Sequence, residues 1–240
     1  MALEKIVTKP AILCLHGRGT SAMIFEMQAM QLVRLLENRF TFIFVDAPIE
    51  SEPGPGVLPI FEDEGPYYSW LKDTPLEMPV DTELEATMLM LEELQVSHLQ
   101  VVGILGFSQG AAVGLGLLLR DQRRREIGLP PVGYRFGAFI GGGTLPLIMN
   151  HGYNDSSANL PVSDGNSIPE VTQIEIPTLH AAGNNDPFAK QGSALQNWVK
   201  NQRMATSFEF TGRHELPRRE EDIMRLASEI VKIYEESQRN

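Results

Sequence analysis

The chain has 240 residues, a formal net charge of −11, 42% hydrophobic residues and 21% charged residues. This length and composition predict one soluble globular domain over residues 1–240, with a sizeable core. An acidic chain of this kind repels phosphate backbones, so we expect no nucleic-acid partner.

Nothing in the sequence predicts secretion or membrane attachment. Cys14 is the single cysteine, so no internal disulfide is possible. The first residues, MALEKIVTKP, lack the charged and apolar regions of a signal peptide, and no lipidation motif is present. The run 101–119 has no charged residue and is as long as a membrane span, but glycines, Ser108 and Gln109 interrupt it. We therefore expect a cytoplasmic protein without a span.

Short apolar runs alternate along the chain with segments of helical periodicity. The predicted strands are 11–17, 40–48, 99–107, 134–142, 176–183 and 206–212. The predicted helices are 21–38, 82–95, 188–203 and 217–234. Continuous apolar strands alternating with helices predict an α/β fold, with a mostly parallel, doubly wound sheet and helices on both faces.

Three of these helices carry apolar stripes that we expect to face the core. The stripe in the helix 82–95 consists of Leu84, Met88, Leu91 and Leu94. The stripe in the first helix consists of Met23, Met27, Met30 and Val33. The stripe in the last helix consists of Ile223, Leu226, Ile230 and Tyr234.

Two long segments interrupt the alternation. Residues 47–80 hold seven prolines and a group of aromatic residues, Phe61, Tyr67, Tyr68 and Trp70. We expect an ordered lid or pocket wall there, whose aromatic side chains either line a substrate pocket or plug the lid onto the core. Residues 143–170 are rich in Asn, Ser, Gly and Pro, and we expect a more mobile loop.

The predicted strand 99–107 runs into Gly106-Phe-Ser108-Gln-Gly110 and then into a helical segment. A Gly-x-Ser-x-Gly sequence between a strand and a helix is typical of a nucleophilic serine held on a tight turn. The alternative is a glycine-rich turn in a core crossover. We predict that Ser108 is the nucleophile.

A serine nucleophile needs a base and an acid that orients the base, and in this type of site they follow in the order Ser, acid, His. His214 follows the last predicted strand and is the expected base. His151 lies in the long polar loop, and His180 lies inside a predicted strand.

Asp186 follows the strand 176–183 and is the expected acid, although it could instead cap the helix 188–203. Asp155 and Asp164 fall in the polar loop, and Glu209 falls inside a strand, so we do not expect any of them to be the acid.

A tetrahedral intermediate also needs hydrogen-bond donors for its oxyanion. We expect one from the backbone N–H of Gln109 and another from Arg18, with Gly17 or Gly19 as alternatives. His16 could order this loop. The histidines show no metal-binding spacing and no glycine pattern fits a nucleotide, so no metal or cofactor is expected.

The chain resembles serine hydrolases of the ovarian-cancer-associated hydrolase type, especially the fungal branch found with polyketide synthases. The resemblance rests on ILCLHGRGTSAMIFEMQ, FVDAPIESEPGPGVLPIFEDEGPYYSWL, GILGFSQGAAV, IPTLHAAGNNDPF and FTGRHELPRR, which together span almost the whole chain. It implies an α/β-hydrolase fold and a triad of Ser108, Asp186 and His214. It departs at Arg213, where relatives often have a small or neutral residue.

The resemblance also implies an ester or thioester substrate and an acyl-enzyme mechanism. In secondary-metabolite biosynthesis, such an enzyme releases a polyketide acyl chain from the acyl-carrier domain of its synthase. An acyl-protein thioesterase or a small-molecule carboxylesterase is the alternative, and a non-catalytic ligand-binding protein of the same fold is a third.

Overall fold

The computed structural model describes residues 9–71, 100–142, 174–189 and 204–239. The strands are β1 (Ala11–Leu15), β2 (Thr41–Val45), β3 (Ile49–Ser51), β4 (Tyr67–Ser69), β5 (Val101–Phe107), β6 (Phe136–Ile140), β7 (Thr178–Gly183) and β8 (Ala205–Phe210). The helices are α1 (Ala22–Leu36), α2 (Gln109–Glu126) and α3 (Glu220–Ser237).

Six strands form a parallel sheet in the order β2-β1-β5-β6-β7-β8. The chain builds outward from β1 to β2, returns to the other side of β1, and then builds outward again from β5. The strand order therefore reverses between β1 and β5, whose last paired residues are Leu15 and Gly106. The segments that leave these two strands start side by side, and such a switch point is where ligands bind in open α/β sheets.

Helices cover both faces of this sheet. Residues of α1 and α3 form one core cluster with one side of the strands, and residues of α2 form another with the opposite side. Strands β1, β5 and β6 are buried along their whole length, which is why they read as continuous apolar runs. The parallel, doubly wound sheet predicted from the sequence is confirmed.

The apolar run 101–119 is divided between β5 and α2, with Ser108 at the corner. Its apolarity comes from burial, because β5 lies inside the sheet and the first half of α2 packs against it. Among the described residues, no helix has the length and hydropathy needed to cross a bilayer.

The prediction for the first helical stripe was wrong. Met23, Met27 and Met30 are 48%, 42% and 47% exposed, and only Val33 is partly buried against the core. The buried residues of α1 are Ile24, Phe25, Ala29, Leu32 and Leu36. The two sets share the same helical spacing but lie on roughly opposite sides of the helix, so periodicity alone could not choose between them.

In the last helix the predicted stripe is confirmed. Ile223, Leu226 and Ile230 are buried, and Tyr234 packs against the same core from a partly buried position. The ring of Tyr234 contacts those of Phe40 and Phe136, at 5.0 and 5.8 Å between centroids.

Residues 47–71 of the predicted lid form an ordered hairpin. Strands β3 and β4 pair antiparallel, and Ile49 is opposite Ser69. The hydroxyl of Tyr67 lies 2.5 Å from the carbonyl oxygen of Phe61 and 3.0 Å from that of Glu62, and it closes the turn by donating to them. Residues 72–80, the predicted helix 82–95, the loop 143–170 and residues 190–203 lie outside the described residues.

The two sides of α1 predict opposite outcomes for substitution. Met27→Gln should change the free energy of unfolding by no more than about 0.5 kcal/mol, because the side chain is exposed. Leu32→Ala should cost about 2–5 kcal/mol, because it opens a cavity beneath the sheet. Urea unfolding of both variants checks this. A larger loss for Met27→Gln than for Leu32→Ala would contradict the observed orientation of the helix.

Candidate active site

Ser108 stands at a strained corner between β5 and α2. Its φ of 52° and ψ of −115° make it the one non-glycine residue with positive φ among the described residues. Such a conformation costs on the order of 1–3 kcal/mol and persists only where the surroundings enforce it. The backbone N–H of Ser108 donates to the carbonyl of Ile140 at 2.9 Å, which ties the corner to the neighbouring strand.

The two glycines that flank Ser108 are required by space. A Cβ on Gly106 would lie 2.5 Å from the carbonyl oxygen of Gly110, and one on Gly110 would lie 2.2 Å from that of Leu15. Either contact is a severe clash with backbone. The Gly-x-Ser-x-Gly spacing therefore lets α2 turn back onto the ends of β1 and β5.

Three polar side chains from three separate strand ends meet at this corner. The Oγ of Ser108 lies 2.8 Å from Nε2 of His214, and Nδ1 of His214 lies 2.9 Å from Oδ2 of Asp186. Asp186 follows β7 and is buried, while His214 lies in the loop between β8 and α3 and is partly buried. These are the three residues that the sequence predicted, and together they form a continuous hydrogen-bonded line.

Asp186 also uses its other carboxylate oxygen, because Oδ1 accepts from the backbone N–H of Phe188 at 2.8 Å. This turn contact coexists with the contact to His214, and a cap on the helix 188–203 stays a prediction because residues 190–203 lie outside the described residues. The capped turn in turn places Phe188, whose ring meets the His214 imidazole edge-to-face at 4.9 Å between centroids. Phe107 packs against the imidazole at 5.2 Å, so two aromatic rings contact the histidine.

Comparison with known families agrees with this geometry. Residues 5–226 match the family described as Serine hydrolase (FSH1). The chain belongs to this family.

Curated relatives of this serine hydrolase are esterases and thioesterases. It is 33% identical to Thioesterase FSL2 of Gibberella zeae, covering 95% of this chain and 94% of that protein. It is 31% identical to Esterase FUS5 of Gibberella fujikuroi, covering 98% and 91%. It is 32% identical to an Aspergillus terreus thioesterase whose name specifies dihydromonacolin L and lovastatin nonaketide synthase, covering 93% and 91%.

Solved structures confirm the fold of this serine hydrolase. Zea mays acyl-protein thioesterase 2 superposes with a TM-score of 0.60 at 19% identity, covering 97% of this chain and 96% of that one. A Bacillus cereus carboxylesterase superposes with a TM-score of 0.58 at 14% identity, covering 94% and 89%. The α/β-hydrolase fold that the sequence resemblance implied is therefore confirmed.

Of the histidines rejected as the base, His180 is buried inside β7 of the serine hydrolase. Its Nε2 lies 3.0 Å from the hydroxyl of Thr178, and burial lowers its pKa to about 4. Glu209 is exposed on β8, and the carboxylate that contacts His214 is that of Asp186. His151, Asp155 and Asp164 lie outside the described residues.

One predicted oxyanion donor follows Ser108 at the start of α2, and the other lies in the loop after β1. Gln109 is the first residue of α2, where backbone N–H groups have no acceptor within the helix. Residues 16–20 leave β1 beside it, and a Cβ on Gly17 would lie 3.4 Å from Cβ of Ser108. Arg18 follows in this loop with an exposed side chain. The alternative Gly19 is wrong, because its N–H donates to the carbonyl of Tyr68 at 2.8 Å. The assignment of the donors to Gln109 and Arg18, with Gly17 as an alternative, stays a prediction.

His16 organises this loop, as the sequence allowed. Its Nδ1 lies 2.8 Å from the carbonyl oxygen of Gly17, and its Nε2 lies 2.9 Å from the backbone N of Ala47. Since a carbonyl only accepts and an N–H only donates, the proton sits on Nδ1. Burial lowers the pKa of His16, which favours this neutral form. The ring thus links the loop after β1 to the end of β2.

The aromatic residues of the hairpin take different positions. Trp70 is fully buried in the core, and its Nε1–H donates to the carbonyl of His16 at 2.8 Å. This position corresponds to the plug, not to the pocket wall. Tyr68 is partly buried beside the loop after β1, and Phe61 and Tyr67 close the hairpin turn. A pocket role for Phe61, Tyr67 and Tyr68 stays a prediction.

Sequence reasoning gave no role to the side chain of Gln109 or to Phe188. The Oε1 of Gln109 accepts from the backbone N–H of Trp70 at 2.8 Å, a partner 39 residues earlier in the chain. The sequence predicts Phe188 only as the first residue of the helix 188–203. The signal for Phe188 was its position two residues after the acid, where a capped turn directs it toward the base.

His180 predicts a specific pH dependence of stability. Its pKa of about 4 in the folded protein lies below the ordinary value of 6.5, so the unfolded chain takes up this proton first as the pH falls. The stabilisation is complete above pH 6.5 and is lost as the pH falls toward 4, with a slope of at most about 1.4 kcal/mol per pH unit.

Urea unfolding of the wild type and His180→Gln at several pH values isolates this contribution, because all carboxylates are common to both proteins. The variant should show a shallower dependence between pH 6.5 and 4.5. Parallel curves for the two proteins would show that His180 is not held neutral by the fold.

Proposed function

We propose that this enzyme cleaves an ester or thioester through an acyl-enzyme on Ser108, with His214 as the base and Asp186 as its orienting acid. The observation that carries the proposal is the hydrogen-bonded line, at 2.8 Å from Ser108 Oγ to His214 Nε2 and 2.9 Å from His214 Nδ1 to Asp186 Oδ2. The first distance lies within the range required for a proton transfer between positioned groups, and the second lies within the range of a hydrogen bond that orients the imidazole.

The first half of the reaction forms the acyl-enzyme. A carboxylate beside Nδ1 fixes the proton there and leaves Nε2 as an acceptor for the Ser108 hydroxyl hydrogen. As Oγ attacks the carbonyl carbon, its proton passes to Nε2. The carbonyl oxygen becomes an oxyanion, which accepts hydrogen bonds from the backbone N–H groups of Gln109 and Arg18. Collapse breaks the bond to the leaving alcohol or thiol, which takes the proton from Nε2.

The second half regenerates the serine. Water gives a proton to Nε2 as it attacks the acyl carbon, and a second oxyanion forms in the same place. Its collapse breaks the bond to Oγ, which recovers the proton from His214, and the free acid leaves. In each half the imidazolium exists briefly beside Asp186, whose buried carboxylate stabilises that charge.

The proposed substrate is a polyketide acyl chain on the carrier domain of a synthase, in a cytoplasmic secondary-metabolite pathway. Two observations support it. Relatives that match almost the whole chain are named as thioesterases or esterases, and the name of one specifies a nonaketide synthase. The Gly-Pro-Gly and Gly-Pro-Tyr-Tyr-x-Trp segments, which generic esterases lack, lie in the ordered hairpin beside the site.

The second candidate is an acyl-protein thioesterase or a small carboxylesterase. It is favoured by Gly-Phe-Ser-Gln-Gly, a sequence also typical of that group. A non-catalytic binding protein is the least favoured, because a binding role does not require a base within 2.8 Å of the serine hydroxyl.

Covalent labelling tests the nucleophile. A fluorophosphonate probe should modify the wild type at Ser108, because only an activated serine reacts readily with it. Ser108→Ala should lose the label and turn over an activated ester more slowly by several orders of magnitude. Ser207→Ala, an exposed serine of β8, is the matched control and should label like the wild type. Peptide mapping of the label to a residue other than Ser108, or full esterase activity in Ser108→Ala, would refute the mechanism.

A substrate panel tests the proposed acyl donor. We expect the highest kcat/KM with an acyl chain linked as a thioester to a polyketide carrier domain, and lower values with palmitoylated peptides and short-chain esters. The Ser108→Ala protein sets the background for each substrate. A preference for palmitoylated peptides over the carrier-bound thioester would favour the second candidate instead.

A further inference from the structure

The side chain of Gln109 lies in a contact that the proposed mechanism does not use. Its Oε1 accepts from the backbone N–H of Trp70 at 2.8 Å and lies 3.1 Å from the hydroxyl of Ser69. The Ser69 hydroxyl also lies 2.7 Å from the carbonyl oxygen of Leu71, so its single hydrogen is within reach of both acceptors. Gln109 is thereby fastened to the end of β4.

The same stretch of chain is fastened to the loop that leaves β1. Gly19 N–H donates to the carbonyl of Tyr68 at 2.8 Å, and Tyr68 N–H donates to the carbonyl of Thr20 at 2.7 Å. Trp70 Nε1–H donates to the carbonyl of His16 at 2.8 Å, and its ring lies 5.2 Å from the imidazole of His16. Residues 68–70, which we call the strut, therefore contact both Gln109 and the loop 16–20.

These two contact points carry the expected oxyanion donors, the N–H of Gln109 and the N–H of Arg18 or Gly17. The pairing of β1 with β5 holds them only as far as Leu15 and Gly106. Beyond those residues the two backbones are no longer paired and meet only by packing, with Gly110 against Leu15 and His16 and Gly17 against Ser108. The strut adds hydrogen bonds to both.

Two of the three residues of the strut are buried. Trp70 is 0% exposed and Ser69 is 2% exposed. A polar N–H in such surroundings needs an acceptor, so the loss of the Gln109 carbonyl leaves the Trp70 N–H unpaired and forces a local shift. Any such shift moves the loop 16–20 relative to the N-terminus of α2.

We propose that the Gln109 side chain is a positioning residue, which sets the spacing of the two oxyanion donors through the strut. The proposal rests on the proposed function, because it gives Gln109 a second task beyond its backbone N–H. Since the oxyanion exists only during reaction, a misplaced donor weakens binding of the transition state and leaves ground-state binding of the substrate nearly unchanged.

Two variants each remove one hydrogen bond of the strut, on opposite sides. Gln109→Met keeps the backbone N–H and the length of the side chain but removes the acceptor for Trp70. Trp70→Phe removes the donor to His16 and keeps an aromatic ring, the backbone N–H of residue 70 and the backbone hydrogen bonds of Tyr68. Each should lower kcat for an activated ester by about 10–100-fold, since misplacement by about 1 Å costs up to about 100-fold. KM should stay within about twofold in both variants.

A boronic acid that forms a tetrahedral adduct with the serine supplies a readout specific to the oxyanion. Its affinity should fall by the same factor as kcat in both variants, whereas the pH at which kcat/KM is half-maximal should not change, because neither substitution touches His214 or Asp186. Gln31→Met, on the exposed side of α1, is the matched control and should behave as the wild type.

The double variant tests whether the two contacts act as one unit. Its loss in kcat should equal that of the more damaged single variant, because both hydrogen bonds act through the same buried residues. Three results would overturn the proposal. The first is losses that multiply in the double variant, the second is wild-type kcat and boronate affinity in Gln109→Met, and the third is a rise in KM that accounts for the whole effect.

Failure of the proposal and failure of the proposed function give different results. If the wild type does not carry the fluorophosphonate on Ser108, the mechanism itself is wrong. If the wild type is labelled but Gln109→Met turns over normally, only the positioning role is wrong. Circular dichroism and thermal unfolding show whether each variant is folded. Should Gln109→Met not fold, Trp70→Phe decides alone, and wild-type kcat and boronate affinity in that variant overturn the proposal.

Discussion

The positive φ of Ser108 is the constraint on which the site depends. A residue in this conformation can stand between a strand and a helix only if both approach it closely, and that approach is possible because Gly106 and Gly110 have no Cβ. The helix then begins at the next residue, so the serine hydroxyl and the first free N–H of α2 occupy the same corner. The buried strand β5 and the buried first part of α2 hold Ser108 in this strained conformation.

The place of this corner in the sheet explains how the remaining groups reach it. Parallel strands end at one edge, and the order of the sheet reverses between β1 and β5, so the loop after β1 lies beside the serine. Asp186 and His214 follow strands further along the same edge. Ser108 and His214 are 106 residues apart in the chain yet lie 2.8 Å from each other. The topology thus brings the three side chains together from short loops, each of which follows a strand of the sheet.

Ser108, Asp186 and His214 were predictable because the sequence patterns around them are local. Ser108 lies between a strand and a helix in a glycine pattern, and Asp186 and His214 directly follow apolar runs. Other features depend on what packs where. The methionines of α1 share their spacing with the buried residues, so only the position of the sheet decides which side is core. The contact from Gln109 to Trp70 joins residues 39 positions apart, and no periodic pattern in the chain encodes it.

The central claim is that Ser108 and His214 act as one unit. A double-mutant cycle on kcat for an activated ester, with Ser108→Ala, His214→Ala and both together, measures this directly. Residues that act as a unit give strongly non-additive losses. If Ser108 and His214 act together, the double variant is no slower than the slower single variant. Losses that multiply in the double variant would mean that the two side chains contribute independently, and would refute the proposed mechanism.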